Sequence, residues 1–120
     1  MSRGRSEGRA ETSRRGVLLL IADDWSPIAR CYGNAVVQMP TVDGLAERGT
    51  VFTNAFCGSP SCAASRATVL TGRHSHEHGQ YGHCHGRHGF TTAEDIPTLP
   101  EVLKAHGVAA AAIGKQHVRP

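Results

Sequence analysis

The chain has 120 residues, 39% of them hydrophobic, and a formal net charge of +3. That length can bury one core and make one small domain, and so modest a charge argues against a nucleic-acid partner. No stretch approaches the roughly 20 apolar residues of a membrane span, so no membrane partner is expected.

Residues 1–15 are rich in Gly, Ser and Glu and almost devoid of apolar side chains, so they cannot pack and are predicted to form a disordered basic tail. The arginines there, Arg3, Arg5, Arg9, Arg14 and Arg15, have no interleaved aromatics, which makes them weak evidence for nucleic-acid binding. Ser13-Arg14-Arg15 followed by a short apolar run has the outline of an export signal. The run at 17–22 stops at Asp23, however, where a signal needs an apolar region of about 7–15 residues and a small-residue cleavage site. As written, the chain is expected to be cytoplasmic; a missing leader would make it periplasmic or secreted.

Residues 17–22 form a continuous aliphatic run, the pattern of a central strand covered on both faces. Pro40 opens a predicted helix at 40–48 that Gly49 ends, and 51–56 reads as a second strand. A helix follows over 62–71, closed by Gly72, then one over 99–106 with Gly107 at the left-handed cap position, then a strand at 108–113. This order predicts an α/β fold, a mainly parallel sheet with helices on both faces. Ligands bind such sheets beyond the carboxyl ends of the strands. That rule sends Asp23-Asp24, after the first strand, and Gly114-Lys115-Gln116-His117, after the last, to one rim that faces Cys62.

Cys62 opens its helix, where unpaired backbone N–H groups favour an anion, and Arg66 lies one turn later on the same face. The planar guanidinium of Arg66 suits a tetrahedral oxyanion. The plainer alternative is a cysteine packed as a small hydrophobe with Arg66 solvated. Asp23 and Asp24 are adjacent carboxylates whose charges ask for a cation, and oxygen donors favour calcium or magnesium. Alternatively, one of them caps the turn before Trp25-Ser26-Pro27. Lys115 and His117, taken alone, read equally as a solvated pair. The segment from His74 through His76, His78, His83, Cys84 and His85 to His88 is dense in histidine, and pairs at i, i+2 or i+4 can chelate zinc or nickel; with no tetrahedral metal set of established spacing, the plainer reading is a polar loop. Cys31, Cys57, Cys62 and Cys84 have no recognisable disulfide or zinc spacing.

Ser61-Cys62-Ala63-Ala64-Ser65-Arg66, followed by Thr71-Gly72, resembles the sulfatase signature. Further matches lie in order along the chain: Cys31-Tyr32-Gly33-Asn34, 40–46, 49–56, Tyr81-Gly82 and Gly114-Lys115-Gln116-His117. The resemblance runs from about residue 16 to Pro120, is greatest to the sulfamidase-like branch, and implies the N-terminal part of an alkaline phosphatase-like domain several times longer. It implies that Cys62 is converted to formylglycine by a maturation enzyme and that the hydrated aldehyde attacks sulfur. It also implies a calcium ion on Asp23, Asp24 and the converted Cys62, with Arg66 supporting the nucleophile. Lys115 and His117 would bind the sulfate, His117 taking up a proton. The implied activity is hydrolysis of a sulfate ester or N-sulfate on a small molecule or saccharide, with this piece expected to be inactive alone. The alternatives are a formylglycine-dependent phosphonate or phosphodiester hydrolase and a non-catalytic metal-binding remnant. Ala64 stands where the commonest pattern has proline, and Arg119 where the sulfamidase-like ending has glycine.

Overall fold

The computed structural model describes residues 16–118; the predicted basic tail and Arg119 lie outside them. A single 3₁₀ turn, Arg30–Tyr32, precedes helix α1 at Pro40–Arg48. Pro40 sits in the first turn of α1, where its missing N–H costs no hydrogen bond. Asp43 of that first turn accepts a hydrogen bond from the Cys31 backbone N–H at 3.0 Å, which ties the 3₁₀ turn to the helix.

Helix α2 covers Cys62–Thr71 with Ser61 as its N-cap residue. It ends at Gly72, whose φ of 67° is the left-handed conformation that glycine adopts without a Cβ clash, and whose N–H returns to the Thr68 carbonyl. Ala63, Ala64 and Ala67 make one fully buried face of α2.

Helix α3, Ser75–His78, is a single turn inside the segment expected to be a loop, and Glu77 accepts a hydrogen bond from the backbone N–H of His74 at 3.0 Å to cap it. Helix α4, Leu99–Ala105, starts with Glu101 accepting from the Thr98 backbone N–H, the reciprocal half of a capping box. Beyond it Gly107 has φ 73°. Both α3 and α4 pack against α2.

Among the described residues no strand forms. The predicted strands at 17–22, 51–56 and 108–113 are neither helical nor joined by ladder hydrogen bonds. A strand has no hydrogen bonds of its own and needs neighbours and covering layers. Those layers are missing around these segments: Val17 is 96% exposed and Ile113 is 98% exposed. No helix among the described residues is long and apolar enough to cross a membrane.

The buried residues instead include the alanine face of α2 and side chains from the segments around it. Ile96, Val118 and Ala29 are buried, as are the polar His78, Gln80 and Thr92. The polar trio is hydrogen-bonded throughout, as buried polar groups must be. Gln80 N–H donates to His78 Nδ1 at 3.1 Å, so Nδ1 is an acceptor and the proton of the neutral ring sits on Nε2. Nε2 lies 3.2 Å from Thr68 Oγ1, which in turn donates to the Ala64 carbonyl at 3.1 Å. Burial pushes the His78 pKa below its ordinary 6.5, which agrees with this neutral tautomer.

Candidate active site

Five of the six residues singled out in the sequence meet in one place. Cys62 is the first residue of α2 and is half-buried. Arg66, one turn on, has a side chain only 12% exposed. One guanidinium nitrogen donates to the Lys115 carbonyl at 2.6 Å and the other to Asp23 Oδ1 at 3.1 Å. Lys115 Nζ donates to Asp23 Oδ2 at 2.6 Å.

Each oxygen of the Asp23 carboxylate therefore has its own cation. The Lys115 hydrogen bond first and the Arg66 hydrogen bond second hold the carboxyl below its usual 3.8. Reciprocally, Asp23 raises the Lys115 pKa. Both groups stay charged across the physiological range.

His117 brings Nδ1 to 3.7 Å from Cys62 Sγ. It adopts φ 56°, an uncommon backbone conformation for a residue with a Cβ, and this turn is held from outside. Gln80 Nε2 donates to the His117 carbonyl at 2.8 Å, and Thr92 Oγ1 bonds both Gln80 Oε1 and the Val118 carbonyl. The hydrogen-bonded chain from Thr68 through His78 and Gln80 thus ties the segment carrying His117 to α2. Desolvation first, then the charge of Lys115, lowers the His117 pKa, which keeps its ring neutral near pH 7.

Asp24 is the exception. It takes φ 51° in the turn after 17–22, is exposed, and makes no hydrogen bond or ion pair among the described residues. Asp and Asn tolerate this left-handed region better than most residues.

Sequence reasoning placed His83 in a histidine-rich segment but not beside Cys62; its two ring nitrogens each lie 3.8 Å from Cys62 Sγ. It also missed Gln80 and His78 as supports. The histidine-rich segment divides into separate environments: His78 is buried in the core, His83 and His85 stack at 4.9 Å beside the thiol, and His74 stacks on His76 at 5.8 Å on the surface. None of the four cysteines is paired in a disulfide.

Cationic side chains and a helix N-terminus are the kinds of donor that hold small oxyanions. Similarity to known proteins points to the same class. The sulfatase family profile matches residues 15–120, and the chain belongs to that family. Human N-sulphoglucosamine sulphohydrolase is 39% identical over 113 residues, covering 94% of this chain and 22% of that protein. Human iduronate 2-sulfatase is 33% identical over 110 residues, 92% of this chain and 20% of that protein. The N-acetylglucosamine-6-O-sulfatase of Bacteroides thetaiotaomicron is 33% identical over 111 residues, 92% of this chain and 19% of that protein. The chain spans about a fifth of the length of these curated relatives.

Sulfatases generally use a formylglycine and a divalent metal. Asp23 and Asp24 offer hard oxygen donors of the kind that calcium and magnesium take, and the ionised state of Asp23 fits such an ion. They supply part of a calcium shell of about six to eight oxygens. The Cys62, His83 and His117 donors, which lie within 4.8 Å of one another, are sulfur and nitrogen and belong to a different metal chemistry.

Proposed function

We propose that this chain is the N-terminal part of a longer sulfohydrolase that cleaves a sulfate ester or a sulfamate from a sugar. The observation that carries the reading is the Asp23 carboxylate clasped by Arg66 and Lys115 beside Cys62, in a member of the sulfatase family. The relatives' printed names refer to sulfated sugars, which supports a saccharide as the organic group.

Conversion of Cys62 to formylglycine by a maturation enzyme would supply the nucleophile. Calcium, with magnesium as the substitute, would be held by Asp23, Asp24 and the converted residue 62, and supplies positive charge beside the oxyanion when bound. Arg66, one turn along α2 from position 62, would support the converted residue and add a planar donor for sulfate oxygens. Lys115 is a point charge for the same oxyanion and stabilises the charge that grows there as the ester or sulfamate bond breaks. His117, neutral near pH 7, is suited to hold or move a proton at the sulfur-bearing side chain. The aliphatic runs at 17–22, 51–56 and 108–113 act in this reading as strands of a mainly parallel, alkaline phosphatase-like sheet. Their exposed side chains are the surface that the remainder of such a sheet and its helices would cover.

The test is hydrolysis by the whole, matured protein of N-sulfoglucosamine, an aryl sulfate and a phosphodiester, compared at matched concentrations. Preferential turnover of a sulfated substrate, lost in Cys62→Ala, is the expected result. Faster phosphodiester cleavage, or full activity in Cys62→Ala, contradicts the proposal.

A further inference from the structure

We propose that, while Cys62 is still a thiol, Cys62, His83 and His117 form a binding site for a soft divalent cation, zinc being the natural occupant. The inference concerns the unconverted side chain and stands whether or not the sulfohydrolase reading is correct.

The argument is geometric. Zinc–sulfur bonds of about 2.3 Å and zinc–nitrogen bonds of about 2.0–2.1 Å put sulfur and nitrogen about 3.5–3.6 Å apart on a tetrahedral edge. Cys62 Sγ lies 3.7 Å from His117 Nδ1 and 3.8 Å from the nearer edge of His83, and the three ligand atoms all fall within 4.8 Å of one another. A shift of a few tenths of an ångström closes the two sulfur–nitrogen edges, and rotation of the exposed His83 side chain brings its nitrogen toward His117 to close the third. These separations are too long for strong hydrogen bonds and fit an arrangement around a shared point. His83 presents Nδ1 and Nε2 at the same 3.8 Å, so rotation of the ring turns either nitrogen inward.

The surroundings assist. His117 is held by the Gln80 amide on its carbonyl, so one ligand is already ordered before an ion arrives. His85 stacks on His83 at 4.9 Å and meets His117 edge-on at 6.1 Å, which restricts both imidazoles. Three protein ligands leave the fourth tetrahedral position to water. On binding, the thiol proton of Cys62 passes to solvent and the thiolate becomes the ligand. No sequence spacing signals this site, because its members come from α2, the loop after α3 and the segment after 108–113. Replacing sulfur at position 62 with an oxygen-bearing side chain removes the soft ligand, so zinc affinity is a property of the unconverted state.

The test uses the full chain, reduced and produced without a maturation enzyme, titrated with cobalt(II) and then with zinc. One equivalent of cobalt should give a thiolate-to-cobalt charge-transfer band that zinc abolishes. Cys62→Ala should lose that band, and His83→Ala and His117→Ala should each weaken binding at least about 10–100-fold. The double substitution of His74→Ala and His76→Ala should change nothing. A second readout needs no variant: zinc should slow alkylation of Cys62 relative to the exposed Cys57, read by peptide mass spectrometry. A charge-transfer band that survives in Cys62→Ala, cobalt binding without that band, or equal alkylation of Cys62 and Cys57 in zinc would each overturn the proposal.

Discussion

The ammonium group of Lys115 lies 2.6 Å from a carboxylate oxygen of Asp23, joining residues 92 positions apart. Arg66 occupies the other oxygen of the same carboxylate, so the end of the first aliphatic run, the start of α2 and the segment after 108–113 are held at one point.

That point is the basis of the first prediction. In the whole, matured protein, Lys115→Gln should lower kcat for a sulfated substrate about 10²–10³-fold, the usual effect of removing one donor to a developing oxyanion. Thermal stability should barely change, because an exposed ion pair contributes little. A large fall in Tm with kcat unaltered would mean that the pair is structural.

Gln80 touches no reacting atom, yet its amide holds the carbonyl of His117 at 2.8 Å, where the backbone has φ 56°. Gln80→Ala should therefore lower kcat while leaving KM close to the parent value. Lys115 stays paired with Asp23 while the histidine loses its fixed turn. Steady-state kinetics on the whole protein measures the split; an effect confined to KM contradicts a positioning role.

Acid should weaken the fold through His78. Its pKa in the folded chain is lowered by burial from the ordinary 6.5, so near that pH the unfolded chain binds a proton that the folded chain does not. The stabilisation is complete above pH 6.5 and is lost as pH falls below it toward the depressed folded value. Protonation would also turn Nδ1 into a donor facing the Gln80 N–H. Denaturant titrations between neutral and mildly acid pH should show this slope, and His78→Leu should reduce it. At neutral pH the same variant should destabilise by about 1–3 kcal/mol, since Gln80 N–H and Thr68 lose a buried partner.

Gly72 closes α2 at φ 67° with open space around the position of a Cβ. Gly72→Ala meets no neighbour, so only backbone strain opposes it, about 1–2 kcal/mol. Amide exchange should accelerate in the last turn of α2, with residues 23 and 115 unaffected.

Much of this was legible because local chemistry punctuates the chain. Pro40 and Gly49 bracket α1, Ser61 and Gly72 bracket α2, and Gly107 follows α4; Pro40 in a first turn and Gly72 and Gly107 in left-handed backbone are each where their residue type is favoured. The meeting of Asp23, Cys62, Arg66, Lys115 and His117 was also legible, from the rule that strand ends share a rim. The sheet behind that rule does not form among the described residues, because aliphatic runs such as 17–22 have neither pairing partners nor cover. Asp24 looked equivalent to Asp23, but its left-handed turn is a backbone property that adjacency in sequence does not reveal. His83, Gln80 and His78 carried no periodic signal in a Gly- and His-rich stretch. A cue for α3 was available in the spacing of His74, Glu77 and Gly79, which are cap, returning carboxylate and left-handed terminator.

The most direct test of the central claim is the mass of the peptide containing Cys62, taken from the protein made in its native host. The account predicts the mass of an aldehyde or its hydrate at position 62. A stoichiometric, unmodified thiol there would contradict it.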